Sequence, residues 1–241
     1  MLISSPIIHA DPISRTPQRL RVAATLGLTA LLLTVIGIVF WVQDGRYSLP
    51  TPRPPSLREL PPGTAVVLPA GVDWQAGDRR PLLLHFFNPD CPCSRFNAEH
   101  VRALRTRFGA QIHFVAVVQI LEDQDDARRR DGLAAAERLF GSGLEAVMDD
   151  GGKIAAACGV YSTPQAVILA PGSPRTLLFR GNYNASRYCA DPRTEFVRKA
   201  LEAIVGRQPL PPESRAAMIA YGCELPANVS PARPGPVNPR L

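Results

Sequence analysis

The sequence predicts an α/β domain, a mixed sheet flanked by helices, carried behind a single membrane-spanning helix. Three observations predict it. From 22 to 42 the chain reads VAATLGLTALLLTVIGIVFWV, 21 residues without a charge. At about 1.5 Å per residue these cover a bilayer core of about 30 Å. Downstream, apolar runs of strand length alternate with segments of helical spacing, a β-α-β-α order that implies parallel strands and crossover helices. Near the end, two apolar runs flank Ala170-Pro171-Gly172-Ser173-Pro174, the pattern of an antiparallel hairpin.

The apolar stretch reads as an uncleaved anchor. A signal peptide would have an apolar region of about 7 to 15 residues, and the WVQDGRYSLP that follows offers no small-x-small cleavage site. Arg15, Arg19 and Arg21 precede the span, and Arg46 and Arg53 follow it. By the positive-inside rule residues 1–21 are cytoplasmic and everything after 42 lies outside, in a bacterial cell the periplasm. Disulfides persist there. The net charge of +6 and pI near 9.4 do not indicate a nucleic-acid partner. The arginines are scattered, and the dense run Arg128-Arg129-Arg130 sits between Asp126 and Asp131 with no interleaved aromatics, as on a solvated helix face.

Proline is 25 of 241 residues, about twice the usual share of roughly 5%, and it clusters on either side of the periodic region. Residues 43–63 therefore read as a Pro-rich linker whose LPTPRPPSLRELPPG is a semi-rigid spacer, and 207–241 as a Pro-rich tail. Between them, 64–206 is the domain. Thr64 to Leu68 is a short strand. Leu82 to Phe87, apolar but for His85, is a strand buried on both faces. Phe96, Val101, Leu104 and Phe108 mark one face of a helix of about four turns closed by Gly109. Ile112 to Val118 is the next strand, and Asp125 to Phe140 a helix with Leu133, Ala136, Leu139 and Phe140 inward. Val147 and Met148 form a short strand and Gly152 to Cys158 a short helix. Gln165 to Leu169 and Thr176 to Arg180 make the hairpin. Thr194 to Val205 is a last helix facing the core through Phe196, Val197, Ala200, Leu201 and Ile204.

Asn88-Pro89-Asp90-Cys91-Pro92-Cys93-Ser94 lies between the buried strand and its helix. Cys91 reads as the helix N-cap and Pro92 as its first residue, where a fixed φ and a missing N–H cost nothing. A helix N-terminus favours a thiolate, so the Cys91 pKa should fall, with Asp90 pushing the other way.

A central strand, a cysteine motif opening a helix, a second β-α unit, then Thr163-Pro164 before a closing hairpin and helix resembles the thioredoxin-like superfamily. Within it, the chain is similar to the membrane-anchored periplasmic redoxins of the TlpA and peroxiredoxin type. The resemblance covers about 64–206 and rests on LLLHFFNPDCPC, on MDDGGKIAAACGVYSTPQAVIL and on Phe179-Arg180-Gly181. It implies a thioredoxin-like fold and a thiol-disulfide oxidoreductase with no bound cofactor. Its substrates would be extracytoplasmic protein thiols and disulfides, and its redox partner would lie in the membrane or the periplasm. It implies a cis Pro164 packed against the cysteines, and Thr163 as the residue whose backbone meets a bound thiol partner. His85, six residues before Cys91, falls where such proteins often keep a buried polar group. It is read as a proton relay or as a hydrogen-bonded core residue.

The chain departs from the family at the second thiol. The place of a thioredoxin's resolving cysteine is taken by Ser94, and the second cysteine is Cys93. Residues at i and i+2 of a helix do not face each other, so a Cys91–Cys93 bond would need a distorted first turn. Three states stay open: Cys91 paired with Cys93, Cys91 alone with Ser94 behind it, or Cys91 paired with a distant cysteine. The distant candidates are Cys158, Cys189 and Cys223. Cys158 reads as a buried unpaired thiol. In this fold the loop GNYNASRYC returns to the active-site edge and the tail can fold back to it, so Cys189–Cys223 is expected as a structural staple.

Two alternatives have other chemistry. One is a copper-binding assembly factor resembling the SCO chaperones, with Cu(I) on Cys91 and Cys93. Those proteins add a histidine from a later loop, whereas the histidines here are His9, His85, His100 and His113. The other is a redox-inactive interaction domain of thioredoxin fold. A peroxidase is disfavoured because the Thr-x-x-Cys of peroxiredoxins is replaced by Asn88-Pro89-Asp90-Cys91.

Overall fold

The computed structural model describes residues 18–43, 45, 49–69, 72, 78–120, 124–185 and 192–226. The chain divides into two compact units, Met1–Arg46 and Tyr47–Leu241. The first contains α1 (Gln18–Gln43), 26 residues with no buried side chain. It is the one helix among the described residues long and apolar enough to cross a membrane. Every one of its described apolar side chains is exposed.

The second unit has a thioredoxin-like fold. Its elements are β1 (Ala65–Val66), β2 (Leu82–Phe87), α2 (Pro92–Phe96), α3 (Ala98–Phe108), β3 (His113–Val118), α4 (Asp126–Phe140), β4 (Glu145–Met148), α5 (Lys153–Cys158), β5 (Ser162–Thr163), β6 (Gln165–Leu169), β7 (Arg175–Gly181), α6 (Phe196–Val205) and β8 (Cys223–Glu224). The main sheet has the order β1-β7-β6-β2-β3-β4. β2, β3 and β4 run parallel, while β6, β7 and β1 are antiparallel to their neighbours. This is the mixed sheet expected from the β-α-β-α order and the hairpin.

Because successive side chains of a strand point to opposite faces, β2, apolar but for His85, divides its side chains between two cores. Leu83 and Phe87 pack with Val101, Leu104, Phe140, Val197 and Leu201 from α3, α4 and α6. Leu82, Leu84 and Phe86 pack with Ile154, Ala155 and Cys158 from α5. Asp149 fixes the start of α5: its carboxylate accepts from the Ile154 and Ala155 N–H groups at 2.7 and 2.9 Å and from Gln119 Nε2 at 2.8 Å. Burial nonetheless outweighs those bonds and raises its pKa.

Three expectations about organisation are corrected. The helix after the cysteines is two helices, broken at Asn97, and Phe96 is exposed rather than inward. The spacer is not free of the domain. Thr51 is buried and its N–H donates to Ala220 O at 2.8 Å, Leu60 enters the second core, and Gly63 N–H donates to Leu177 O at 2.7 Å. The segment after 206 is likewise more than a tail. A 3₁₀ stretch (Pro212–Met218) places Ala217 in the first core, β8 pairs with β5, and Leu225 joins the second core. Proline-rich composition reports the lack of backbone donors, not a lack of packing, and these segments pack through scattered single apolar residues that show no period.

Candidate active site

Cys91 is the N-cap of α2, with extended backbone angles, and Pro92 is its first residue. The loop ahead of it is held by its own polar groups. Cys91 N–H donates to Asn88 O at 3.0 Å, Asp90 N–H to Asn88 Oδ1 at 2.8 Å, and Asn88 N–H to Ser94 Oγ at 3.2 Å. Ser94 therefore does not stand behind the Cys91 sulfur as a substitute thiol; it braces the loop that aims Cys91. Asp90 forms an ion pair with Arg128 at the start of α4, so the opposing charge next to Cys91 is offset.

Cys91 is bonded to Cys223, with 6.2 Å between the two Cα atoms. Of the three open states the structure takes the distant partner. The expected Cys189–Cys223 staple is overturned because Cys223 is already engaged; Cys189 lies outside the described residues. Cys93, read as the first candidate partner of Cys91, is a free, fully buried thiol. Its sulfur lies near that of Cys91 but is not bonded to it, and desolvation pushes its pKa up to about 11. Cys158 is free and buried as expected, and desolvation raises its pKa as well.

Thr163-Pro164 is cis, as the resemblance implied. The Thr163 carbonyl oxygen lies 3.7 Å from the Cys91 sulfur. On its other side Thr163 pairs with Cys223 in the β5–β8 ladder, so one residue touches both halves of the disulfide. This contact needs Gly222. With φ at +154°, a Cβ there would overlap the Thr163 carbonyl oxygen and meet Ser162 Oγ at 3.1 Å. Thr163 Oγ1 is buried with no hydrogen-bond partner among the described residues.

His85 is fully buried on the α3 side of the sheet, with Phe87, Phe140 and Tyr183 around its ring. Tyr183 Oη lies 2.7 Å from its Nδ1, and Nε2 has no hydrogen-bond partner among the described residues. Burial drives its pKa down to about 3, so the ring is neutral and accepts the tyrosine proton at Nδ1. Of the two readings of His85, the geometry shows the hydrogen-bonded core residue. His100, also with its pKa lowered by burial, lies edge-on to the same tyrosine.

The three sulfurs of Cys91, Cys93 and Cys223 lie within 4.8 Å of one another. Cys91 and Cys93 are buried residues, whereas Cys223 is half-buried. Sequence reasoning named Cys223 among three distant candidates for Cys91 but assigned it to Cys189, and it missed Asn88 and Tyr183. The signal for Cys223 was its glycine neighbour and its place in a tail able to fold back; nothing in the sequence specified which cysteine it would meet.

Residues 68–224 match the family described as a domain of unknown function, DUF6436. The chain belongs to that family. No curated protein matches it. Among solved structures, a hypothetical protein from Sinorhizobium meliloti 1021 is 19% identical over 70% of this chain and 96% of its own, with a TM-score of 0.55. An uncharacterized conserved protein from Geobacillus kaustophilus is 19% identical over 70% of this chain and 93% of its own, with a TM-score of 0.56. A putative thiol:disulfide interchange protein DsbE from Chlorobium tepidum is 17% identical over 62% of this chain and 98% of its own, with a TM-score of 0.43. At these identities and TM-scores the DUF6436 chain shares a fold with the first two, and its chemistry has to be argued from its own sulfurs.

Proposed function

We propose that this protein is a membrane-anchored thiol-disulfide oxidoreductase related to the TlpA-type redoxins, with α1 in the plasma membrane, the N-terminus cytoplasmic and the domain in the periplasm. Its redox couple is Cys91–Cys223. The observation that carries the reading is the disulfide itself: it starts at a strand-to-helix junction, lies against a cis-proline loop, and joins a buried residue, Cys91, to a half-buried one, Cys223. A purely structural staple has no need of that asymmetry.

Accessibility assigns the roles. A thiolate of a partner protein attacks the half-buried Cys223 sulfur; the Cys91–Cys223 bond breaks, and its electron pair leaves on Cys91. That sulfur sits at the start of α2, where positive backbone potential favours a thiolate leaving group. A second thiolate of the partner then attacks the mixed disulfide and leaves as part of an oxidised pair, with Cys223 released as a thiol. The protein gains the two electrons that the partner loses. Run backwards, the same steps reduce a partner's disulfide, with Cys91 as the resolving thiol. Thr163, whose carbonyl reaches Cys91 and whose strand pairs with Cys223, positions the bond, and Pro164 shapes that loop.

Insulin reduction by the full-length chain in detergent micelles, driven by a dithiol, tests the reading. Cys91→Ser should abolish turnover and accumulate a mixed disulfide between insulin and Cys223, visible on a non-reducing gel. Unchanged turnover in that variant sinks the oxidoreductase reading. Trapping by Cys223→Ser in place of Cys91→Ser reverses the two roles.

A further inference from the structure

We propose that the reduced site is a three-thiolate Cu(I) site whose ligands are Cys91, Cys93 and Cys223, so that disulfide formation and metal binding exclude each other. The proposal rests on one part of the redox reading, that thiols can open the Cys91–Cys223 bond, and otherwise on the placement of the third sulfur.

That placement is unusual. Cys93 takes no part in the disulfide, yet its sulfur lies within 4.8 Å of both bonded sulfurs, in a cluster where the other two come from different ends of the domain. Three thiolates about 2.3 Å from a common ion lie about 4 Å apart in a trigonal plane. The cluster already encloses that spacing, and opening the bond moves Cys91 and Cys223 toward it. The protein holds the sulfurs from two sides. Cys91, the N-cap of the short α2, and Cys93, two residues on, lie within a single turn of backbone that the Asn88–Ser94 bond braces, and β8 brings Cys223 in through its pairing with Thr163.

Ligand chemistry selects the ion. Thiolates are soft donors and favour Cu(I), Zn²⁺ and iron-sulfur clusters. Structural zinc sites complete a tetrahedron with a fourth protein ligand. Among the described residues no histidine or carboxylate joins these three sulfurs. With Cys91 and Cys93 buried, a strongly hydrated divalent ion is disfavoured relative to a soft monovalent one content with three sulfurs.

The step balances without a metal-centred redox change. Two equivalents of an external thiol deliver two electrons and two protons to Cys91–Cys223 and leave as their own disulfide. Cu(I) then displaces one proton from each thiol that ligates it as thiolate and stays in the same oxidation state. A partner disulfide that takes two electrons from Cys91 and Cys223 and leaves as two thiols restores the bond, which removes two of the three ligands and releases the Cu(I) unchanged in oxidation state. The structure thus assigns Cys93 a role that the two-cysteine redox cycle leaves vacant.

The test is an anaerobic Cu(I) titration of the full-length chain in micelles against a chromogenic Cu(I) chelator, before and after reduction by excess thiol and removal of that thiol. The reduced protein should take one Cu(I) from the chelator and show near-ultraviolet thiolate-to-copper absorption, while the oxidised protein should take none. Cys93→Ser and Cys223→Ser, each checked for folding by circular dichroism, should each weaken binding by more than about 100-fold, beyond the loss from an outer-shell change. Three results overturn the proposal: reduced wild type leaves the metal with the chelator, either variant binds as tightly as wild type, or Zn²⁺ at equal concentration displaces the Cu(I). Insulin turnover of the same wild-type preparation separates the two readings. Turnover without Cu(I) binding removes only the metal site, and Cu(I) binding without turnover removes only the oxidoreductase.

Discussion

Replacing both bonded cysteines, Cys91→Ser/Cys223→Ser, removes a cross-link between residues 132 apart in sequence. In the chain-entropy description, closing a loop of that length costs the unfolded chain about 17 cal/mol/K, or about 5 kcal/mol at 25 °C. This is large against the roughly 5 to 15 kcal/mol that holds a typical domain. The folded state should keep its shape, because the segment carrying Cys223 has other holds. Ala217, Ala220 and Leu225 are buried, and Ala220 N–H donates to Tyr161 Oη at 3.1 Å while its carbonyl accepts from Thr51 N–H at 2.8 Å. The effect should therefore appear in the unfolded state. In urea, followed by far-ultraviolet circular dichroism of the full chain in micelles, the variant should lose about 3 to 5 kcal/mol, with a steeper slope because its unfolded chain is less compact. A loss below about 1 kcal/mol with an unchanged slope would refute the reasoning, since a bond spanning most of the domain would then not constrain it. The double substitution is preferred to either single one, which would leave Cys93 beside a newly freed partner.

Gly222→Ala should prevent β8 from pairing with Thr163 and leave the disulfide open; titration of thiols in denaturant should read two more free groups than wild type. His85 is neutral when folded because burial depresses its pKa to about 3, whereas unfolded it titrates near 6.5. The unfolded chain therefore binds the extra proton, and the stability owed to neutral His85, full above about pH 6.5, falls as the pH drops from there toward 3. Between pH 7 and 5 this amounts to about 2 kcal/mol. The unfolding free energy of wild type from urea titrations should fall by that much more than that of His85→Gln, and parallel pH profiles would count against the buried neutral ring. Tyr183→Phe removes the hydroxyl 2.7 Å from His85 Nδ1 and should cost about 1 to 3 kcal/mol in the same assay. No change would mean that the ring finds another donor.

Most of the fold was legible because its signals are local. The uncharged run, the alternation of apolar strands with helical spacing, and the proline just after Cys91 each depend on residues close in sequence, and α1, β2, β3, α4, β6 and α6 appear within a few residues of the expected bounds. Where expectation failed, the deciding interaction was remote. The break at Asn97 accommodates a turn braced by Asn88 and Ser94, and the proline-rich flanks dock through single residues such as Leu60 and Ala217. Composition cannot show either.

The sequence by itself determined that one candidate membrane helix precedes an α/β domain with a mixed sheet, that Cys91 caps a helix after the central strand, and that Cys93 stands two residues further along that helix. These follow from backbone geometry, whose periods are written into neighbouring residues. Only the tertiary structure decided the partner of Cys91. Five cysteines admit many pairings, and the choice depends on bringing residue 223 across the domain to residue 91. That approach is set by a glycine allowing close contact with Thr163 and by apolar residues anchoring the returning segment, contacts between parts of the chain that carry no trace of one another in their local patterns.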